Sequence, residues 1–483
     1  MAGDVVISGG GELAVSTDAL AGAAQTLENI ADQCCYAANA LAAIDRGVST
    51  TMLRQVDAPV SAVDAEAEIA SALALIVDAG GVADGLAGAV RLSATAYGVA
   101  DSVQQRIAQD LAARFGYVAG MLTPMAIITA LPALLFAGQF ALVMSAFPGG
   151  REALGSLATA FITDHRRELT DPAVVSLIRL AVMSTDDYIA GLLHLPPGAQ
   201  EALGDEGLGV VGVSTSAAFI VLAASQFGAL QETGVAVSRV PTIGRAAGAT
   251  KPPADILDRL DRIPGPEAST TGARVRIDRM TIPGKPDAFE VYIAGTSTWD
   301  VANSTNPFDM TSNMHGVAEL DPGSRRAVEL AMADAGITPE SKVVFSGYSQ
   351  GGLIARALAA SGDYATAGLV TFGGPGGQIA LPNSFPSVIL EHTDDFVPAL
   401  GGSESSTEAI RVRREVYGDR EFDNEFVVPA HERSNYRDTA MLADSAQNES
   451  VRDAIRRINE ATDGATDVTT TSYVASRDAE PGG

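Results

Sequence analysis

The sequence predicts an α/β protein whose C-terminal part is built on a mainly parallel sheet, preceded by an all-α region and by a strongly apolar helical one. Three observations predict it. Beyond residue 272, strand-like runs alternate with helical ones, the pattern of parallel strands joined by crossover helices. In the first hundred residues, small and apolar side chains recur three and four apart, the period of an amphipathic helix. Between these parts lie two long stretches without a charged residue, 115–150 and 207–231.

With 483 residues the chain is long enough for several domains of roughly 150 residues each. Its net charge is −27, from 59 acidic and 32 basic residues, and no basic block stands out. That removes the cationic footprint of a nucleic-acid binder, and no nucleic-acid partner is expected. The two cysteines, Cys34 and Cys35, are neighbours, and neighbours close only a strained ring, so no disulfide framework is expected. They also lack the spaced partners of a zinc site. The first ten residues, MAGDVVISGG, carry neither a cationic segment nor an apolar core, so no secretory signal peptide is read here and export would take another route.

Taken in order, residues 18–44 place Leu20, Ala23, Leu27, Ile30, Cys34, Ala37, Leu41 and Ile44 on one seam, with Ser16, Thr17 and Asp18 as capping candidates. Gly47 and Ser49-Thr50-Thr51 break the pattern, which resumes near Val60 and runs to about Arg114. Residues 1–116 are therefore expected to form a long helical hairpin or a three-helix bundle. It is rich in alanine, buries little area and should need a helical partner or the following segment. Residues 117–240 read as an apolar helical region. Stretches 117–148 and 207–231 either enter a membrane or form hydrophobic helices buried in an all-α domain. Residues 241–272, with Pro252-Pro253 and Pro264-Gly265-Pro266, read as a linker carrying one short helix at 256–263. Strands are expected at 274–277, 289–293, 343–346, 369–372 and 388–390, with helices at 322–335 and from Gly351, so that 273–463 form one α/β domain. The tail 464–483, rich in Thr, Ser, Asp and Gly, is expected to be loosely ordered and flexible.

The chemistry is carried by Gly347-Tyr348-Ser349-Gln350-Gly351, set between the β-type run 343–346 and an Ala/Leu-rich helix. A serine on a tight strand-to-helix turn needs small residues two before and two after it, because the chain folds back on itself. Gly347 and Gly351 supply them. The turn aims the next backbone N–H, that of Gln350, at a developing oxyanion. Such a serine needs a base and an acid, expected downstream in the order acid then histidine. Of the two downstream histidines, His392 stands three residues from Asp395, too close for an easy side-on pairing, so His431 is the expected base. The acid is expected after the strand 387–390, where Asp394 and Asp395 compete.

Two resemblances bear on these strings. His392-Thr393-Asp394-Asp395-Phe396-Val397-Pro398 resembles the acid loop of the fungal-type class 3 lipases, which selects Asp395. Ala294-Gly295-Thr296 is similar to the same lipases' turn after an early strand, which makes Thr296 the second oxyanion donor through its N–H and hydroxyl. The Gly-Tyr-Ser-Gln-Gly string also resembles cutinases and mycobacterial Pro-Glu/Pro-Pro-Glu hydrolase domains. Together these imply an α/β-hydrolase fold, and an esterase or lipase acting on a lipid or other apolar ester, without cofactor or metal. Residues 301–315 are expected to lie as a lid over the acyl site. Separately, the helical hairpin followed by Tyr97-x-x-x-Asp101 resembles the Trp-x-Gly targeting region of type VII secretion substrates, with Asp45-Arg46-Gly47 where that family has its Trp. Tyr97 and Asp101 fall on one helical face. This resemblance implies export or envelope association through type VII secretion machinery, and possible membrane association. A second reading is an exported envelope or toxin-like factor with phospholipase or acyltransferase activity, and a third a hydrolase fold used only for binding.

Overall fold

The computed structural model describes residues 5–8, 17–47, most of 69–88, 163–183, 230–240, 251–265, 272–297 and 305–477, apart from 407, 419, 424 and 447, and three single positions between 217 and 225. The chain divides into two compact units. One holds Ser16–Phe140 and Met183–Gly212, the other Met1–Val15, Ala141–Val182 and Val213–Gly483.

In the smaller unit α1 (Thr17–Gly47) spans the residues of the expected heptad seam and buries Leu27, but Ala37 of that seam is exposed and its neighbour Ala38 is buried instead. Helical turns between residues 69 and 88 bury Ala83 and Ala87, and pack on α1 at Gly80, where a Cβ would lie 3.1 Å from that of Cys34. The segment joining these helices lies outside the described residues, as do Tyr97, Asp101 and the apolar stretch 117–148. Among the described residues no helix is long and apolar enough to cross a membrane.

The larger unit is α/β: a nine-stranded sheet in the order β1-β8-β7-β6-β5-β4-β3-β9-β2. Its strands are β1 (Val6–Ser8), β2 (Val235–Arg239), β3 (Val275–Thr281), β4 (Ala288–Ile293), β5 (Lys342–Tyr348), β6 (Ala365–Phe372), β7 (Ser387–His392), β8 (Ile410–Arg414) and β9 (Asp467–Arg477). The helices that matter are α2 (Pro172–Met183), α3 (Ile256–Arg262), α4 (Met310–Val317), α5 (Gly323–Asp334), α6 (Gln350–Ala360), α7 (Arg433–Ser445) and α8 (Glu449–Asn459).

Strands β4 to β8 run parallel, and β5 sits between β4 and β6. Both faces of β5 are covered, which is why its sequence is a continuous apolar run rather than an alternating one. Val343 and Phe345 point into the layer made with α5 and α6, whereas Val344 and Tyr348 point into the layer made with α3, α7 and α8. Each covering helix buries a stripe at helical spacing, as Val451, Ala454 and Ile458 do in α8.

Four expectations are corrected. The sheet is mixed rather than mainly parallel, because β3 and β4 form a hairpin too short for a crossover and β1, β2 and β9 add antiparallel ladders. The tail is not loose through Arg477. Asp467–Arg477 is an eleven-residue strand between β3 and β2, with Tyr473 and Ala475 buried, because Val and Thr make a good half-buried strand whatever their polarity. The linker is not merely a linker, since α3 buries Ile256 and Leu260 completely and its Arg259 pairs with Glu290 of β4 at 2.9 Å. Consequently the sheet is not confined to 273–463, but draws β1 and β2 from segments assigned to the helical regions. Finally, of the expected lid 301–315, residues 301–304 lie outside the described residues and 305–315 are fastened in place rather than loose. Phe308 and Asp309 are fully buried, and Arg477 of β9 grips the Asp309 carboxylate at 3.0 Å.

Candidate active site

Ser349 joins β5 to α6 with φ 55° and ψ −124°, a conformation that only tight surroundings impose on an L residue. Those surroundings are backbone. A Cβ on Gly347 would lie 2.0 Å from the Gly351 carbonyl oxygen, and one on Gly351 would lie 2.1 Å from the Ile293 carbonyl oxygen. The turn is tied by the Ser349 N–H to the Phe372 carbonyl at 2.8 Å and by the Gly352 N–H to the Ser349 carbonyl at 2.8 Å.

The Ser349 hydroxyl lies 2.8 Å from Nε2 of His431, and Nδ1 of His431 lies 2.6 Å from Oδ2 of Asp395. All three are almost fully buried. A neutral imidazole satisfies both bonds in one tautomer: Nδ1–H donates to the carboxylate and Nε2 accepts from the serine. His431 ends a short 3-10 turn, Pro429–His431, just before α7. Its ring stacks on Tyr348 with centroids 5.3 Å apart, and the Tyr348 hydroxyl donates to the His431 carbonyl. Asp395 caps the single turn Phe396–Ala399 after β7, and its Oδ1 accepts the Val397 N–H at 3.0 Å.

The competitor Asp394 faces the other way. Its carboxylate accepts the N–H groups of Val416 and Tyr417, at 3.0 and 2.8 Å. Burial pushes its pKa up to about 6, against the pull of those N–H bonds. His392 is also buried away from the nucleophile, with Nδ1 2.7 Å from the Ala430 carbonyl and Nε2 2.8 Å from the Thr439 hydroxyl. Burial pushes its pKa down to about 4, so it is neutral near pH 7.

On the opposite side of Ser349 stands the Ala294-Gly295-Thr296 turn. A Cβ on Gly295 would lie 3.0 Å from that of Ser349, which brings Thr296 beside the elbow. The Thr296 hydroxyl accepts from Nδ2 of Asn313 at 2.9 Å, leaving its own proton free to point elsewhere. Gln350 is the first residue of α6, so its backbone N–H has no partner within the helix. Its side-chain amide donates to the Asp309 carbonyl at 3.2 Å. Helix α4 thus touches both turns, through Asn313 and through its cap Asp309. The cap is fastened from outside: Arg477 reaches Asp309 and Ser312, and Glu232 accepts from Ser312 at 2.7 Å and from Arg477.

Every sequence-named member of the site on the larger unit, Thr296, Gly347, Ser349, Gln350, Gly351, Asp395 and His431, is found around one point. Sequence reasoning missed Asn313 and Tyr436, whose hydroxyl donates to Oδ2 of Asp395 at 2.7 Å. Neither stands in a motif, so only the folded arrangement could have singled them out. Among the described residues no group of three or more His, Cys, Asp or Glu is arranged to hold a metal ion. Comparison with protein-family models, with curated proteins and with solved structures finds no match to this chain.

Proposed function

We propose that the chain is a serine hydrolase of carboxylic esters, carried on an α/β-hydrolase-type sheet. The observation that carries the reading is the unbroken hydrogen-bonded line Ser349, His431, Asp395, with the serine held in a strained turn at the start of a helix. The serine oxygen attacks the acyl carbonyl while Nε2 of His431 takes its proton. Asp395 steadies the resulting imidazolium, and the N–H groups of Gln350 and Thr296, with the Thr296 hydroxyl, meet the oxyanion. His431 returns the proton to the leaving alcohol, which departs and leaves an acyl-serine. Water, deprotonated by the same imidazole, then releases the acid and restores the serine.

A lipid-like acyl group and export through type VII secretion machinery are further parts of the reading, supported by the sequence resemblances alone. The test is labelling by a fluorophosphonate probe. Wild type is expected to label, and Ser349→Ala and His431→Ala are expected not to. Ester turnover should fall in Ser349→Ala by about 10³-fold or more. A folded Ser349→Ala protein with undiminished esterase activity would overturn the assignment.

A further inference from the structure

Two buried aromatic groups beside the site have no part in the steps above. Tyr436, fully buried on α7, shares Oδ2 of Asp395 with the imidazole of His431. His392, fully buried at the end of β7, lies flat against the Tyr436 ring, with centroids 3.9 Å apart and planes at 22°. We propose that Tyr436 is a positioning residue for this reaction, donating to Asp395 so that the carboxylate stays turned toward Nδ1 of His431, and that His392 is the support that holds it there. The proposal rests on the serine-hydrolase reading.

A carboxylate with no solvent contact is costly unless donors surround and orient it. Asp395 has three: the Val397 N–H on Oδ1, and the Tyr436 hydroxyl and His431 Nδ1–H on Oδ2. Only the tyrosine hydroxyl neither belongs to the acid's own turn nor takes part in proton transfer. Burial and the neighbouring Asp395 hold the Tyr436 phenol well above its ordinary pKa, so it remains a donor across the working range. The ring has little freedom to leave. It meets Tyr348 edge-on at 5.9 Å and His431 edge-on at 6.0 Å, and a Cβ at Gly373 would lie 2.7 Å from its hydroxyl oxygen.

His392 links the acid to the base from behind. Being neutral, it donates from Nδ1 to the carbonyl of Ala430, the residue before His431, and its Nε2 lies 2.8 Å from the hydroxyl of Thr439 on α7. One ring therefore fixes both the stack under Tyr436 and the backbone that carries His431. The other titratable or charged groups facing this cluster are Tyr348 from β5, Glu391 from β7, Asp394, Arg414 from β8, and Glu432 and Arg433 at the start of α7. None of them donates a hydrogen bond to the Asp395 carboxylate in place of Tyr436.

The experiment is the pH profile of kcat/KM for wild type and Tyr436→Phe on a soluble ester, normalised to active sites counted by fluorophosphonate labelling. Removing the phenol leaves Asp395 a stronger acceptor for His431 and raises the basicity of the imidazole. The acid limb should move to higher pH, and kcat/KM per active site should fall about tenfold, as for loss of a hydrogen bond to a charged group. An unshifted limb at unchanged kcat/KM per site, in a protein that labels, overturns the positioning role while leaving the hydrolase reading intact. Wild type that fails to label overturns both. If Tyr436→Phe does not fold, 3-fluorotyrosine at position 436, a more acidic donor of nearly the same shape, is read on the same profile. It should move the acid limb to lower pH, and an unmoved limb overturns the proposal.

Discussion

At the residue scale the two adjacent carboxylates divide by direction. Asp395 turns to His431, and Asp394 turns to the backbone of Val416 and Tyr417. Asp395→Asn is expected to lower kcat by about 10⁴-fold, as in other Ser-His-Asp triads, because an amide cannot hold the imidazole in the required tautomer. Asp394→Asn should retain most of the activity in the same esterase assay. Its signature is in stability instead. The Asp394 pKa is raised to about 6 in the fold from an ordinary 3.8, so the folded state holds that proton more tightly than the unfolded chain does. The stability it contributes is complete below about pH 4 and is lost as pH rises through about 6. Urea midpoints measured from pH 4 to 7 should therefore decline less steeply in Asp394→Asn than in wild type. The sequence could name both carboxylates but not their directions. Alternating sides is a property of a turn, and this turn is fixed by partners more than twenty positions away.

At the element scale the elbow was the most legible part of the chain, because its requirement is steric and local. Gly347 and Gly351 are needed where backbone meets backbone, and such a need shows in sequence as glycine at fixed spacing. Gly351→Ala should cost more than about 4 kcal/mol in chemical denaturation, or abolish folding, since the Ile293 carbonyl cannot retreat without breaking the β4–β5 ladder. The helix α3 was less legible. Its flanking prolines pointed to a linker, yet the fully buried Arg259 reaches the fully buried Glu290 at 2.9 Å and the half-buried Asn459 at 2.8 Å. Arg259→Ala strands a buried carboxylate and should cost about 3–5 kcal/mol, measurable by urea unfolding. A buried ion pair formed across segments this far apart leaves no periodic trace, whereas an apolar stripe does.

At the scale of the whole molecule, local patterning defined the strands from β3 to β7 and left the borders of the sheet unread. The strands β1, β2 and β9 are short, polar or remote, and what makes them strands is the partner waiting at each edge. A protein truncated after Gly464 would uncover β3 and leave β2 without its neighbour. It should be insoluble, or melt at a clearly lower temperature by circular dichroism than the full chain. It would also lose Arg477, the fastening of α4 and hence of the supports for Thr296 and Gln350.

The place of β9 has a consequence in time as well as in space. Ser349, Asp395 and His431 all leave the ribosome before the strand that completes the sheet around them, and β2, made long before, pairs with no other strand among the described residues. A nascent chain can thus carry the entire triad while its scaffold still has an open seam and an orphaned edge. On the proposed reading, reactivity toward a fluorophosphonate should switch on in step with the arrival of residues 467–477 rather than with that of His431, so a strand outside the triad would set its timing.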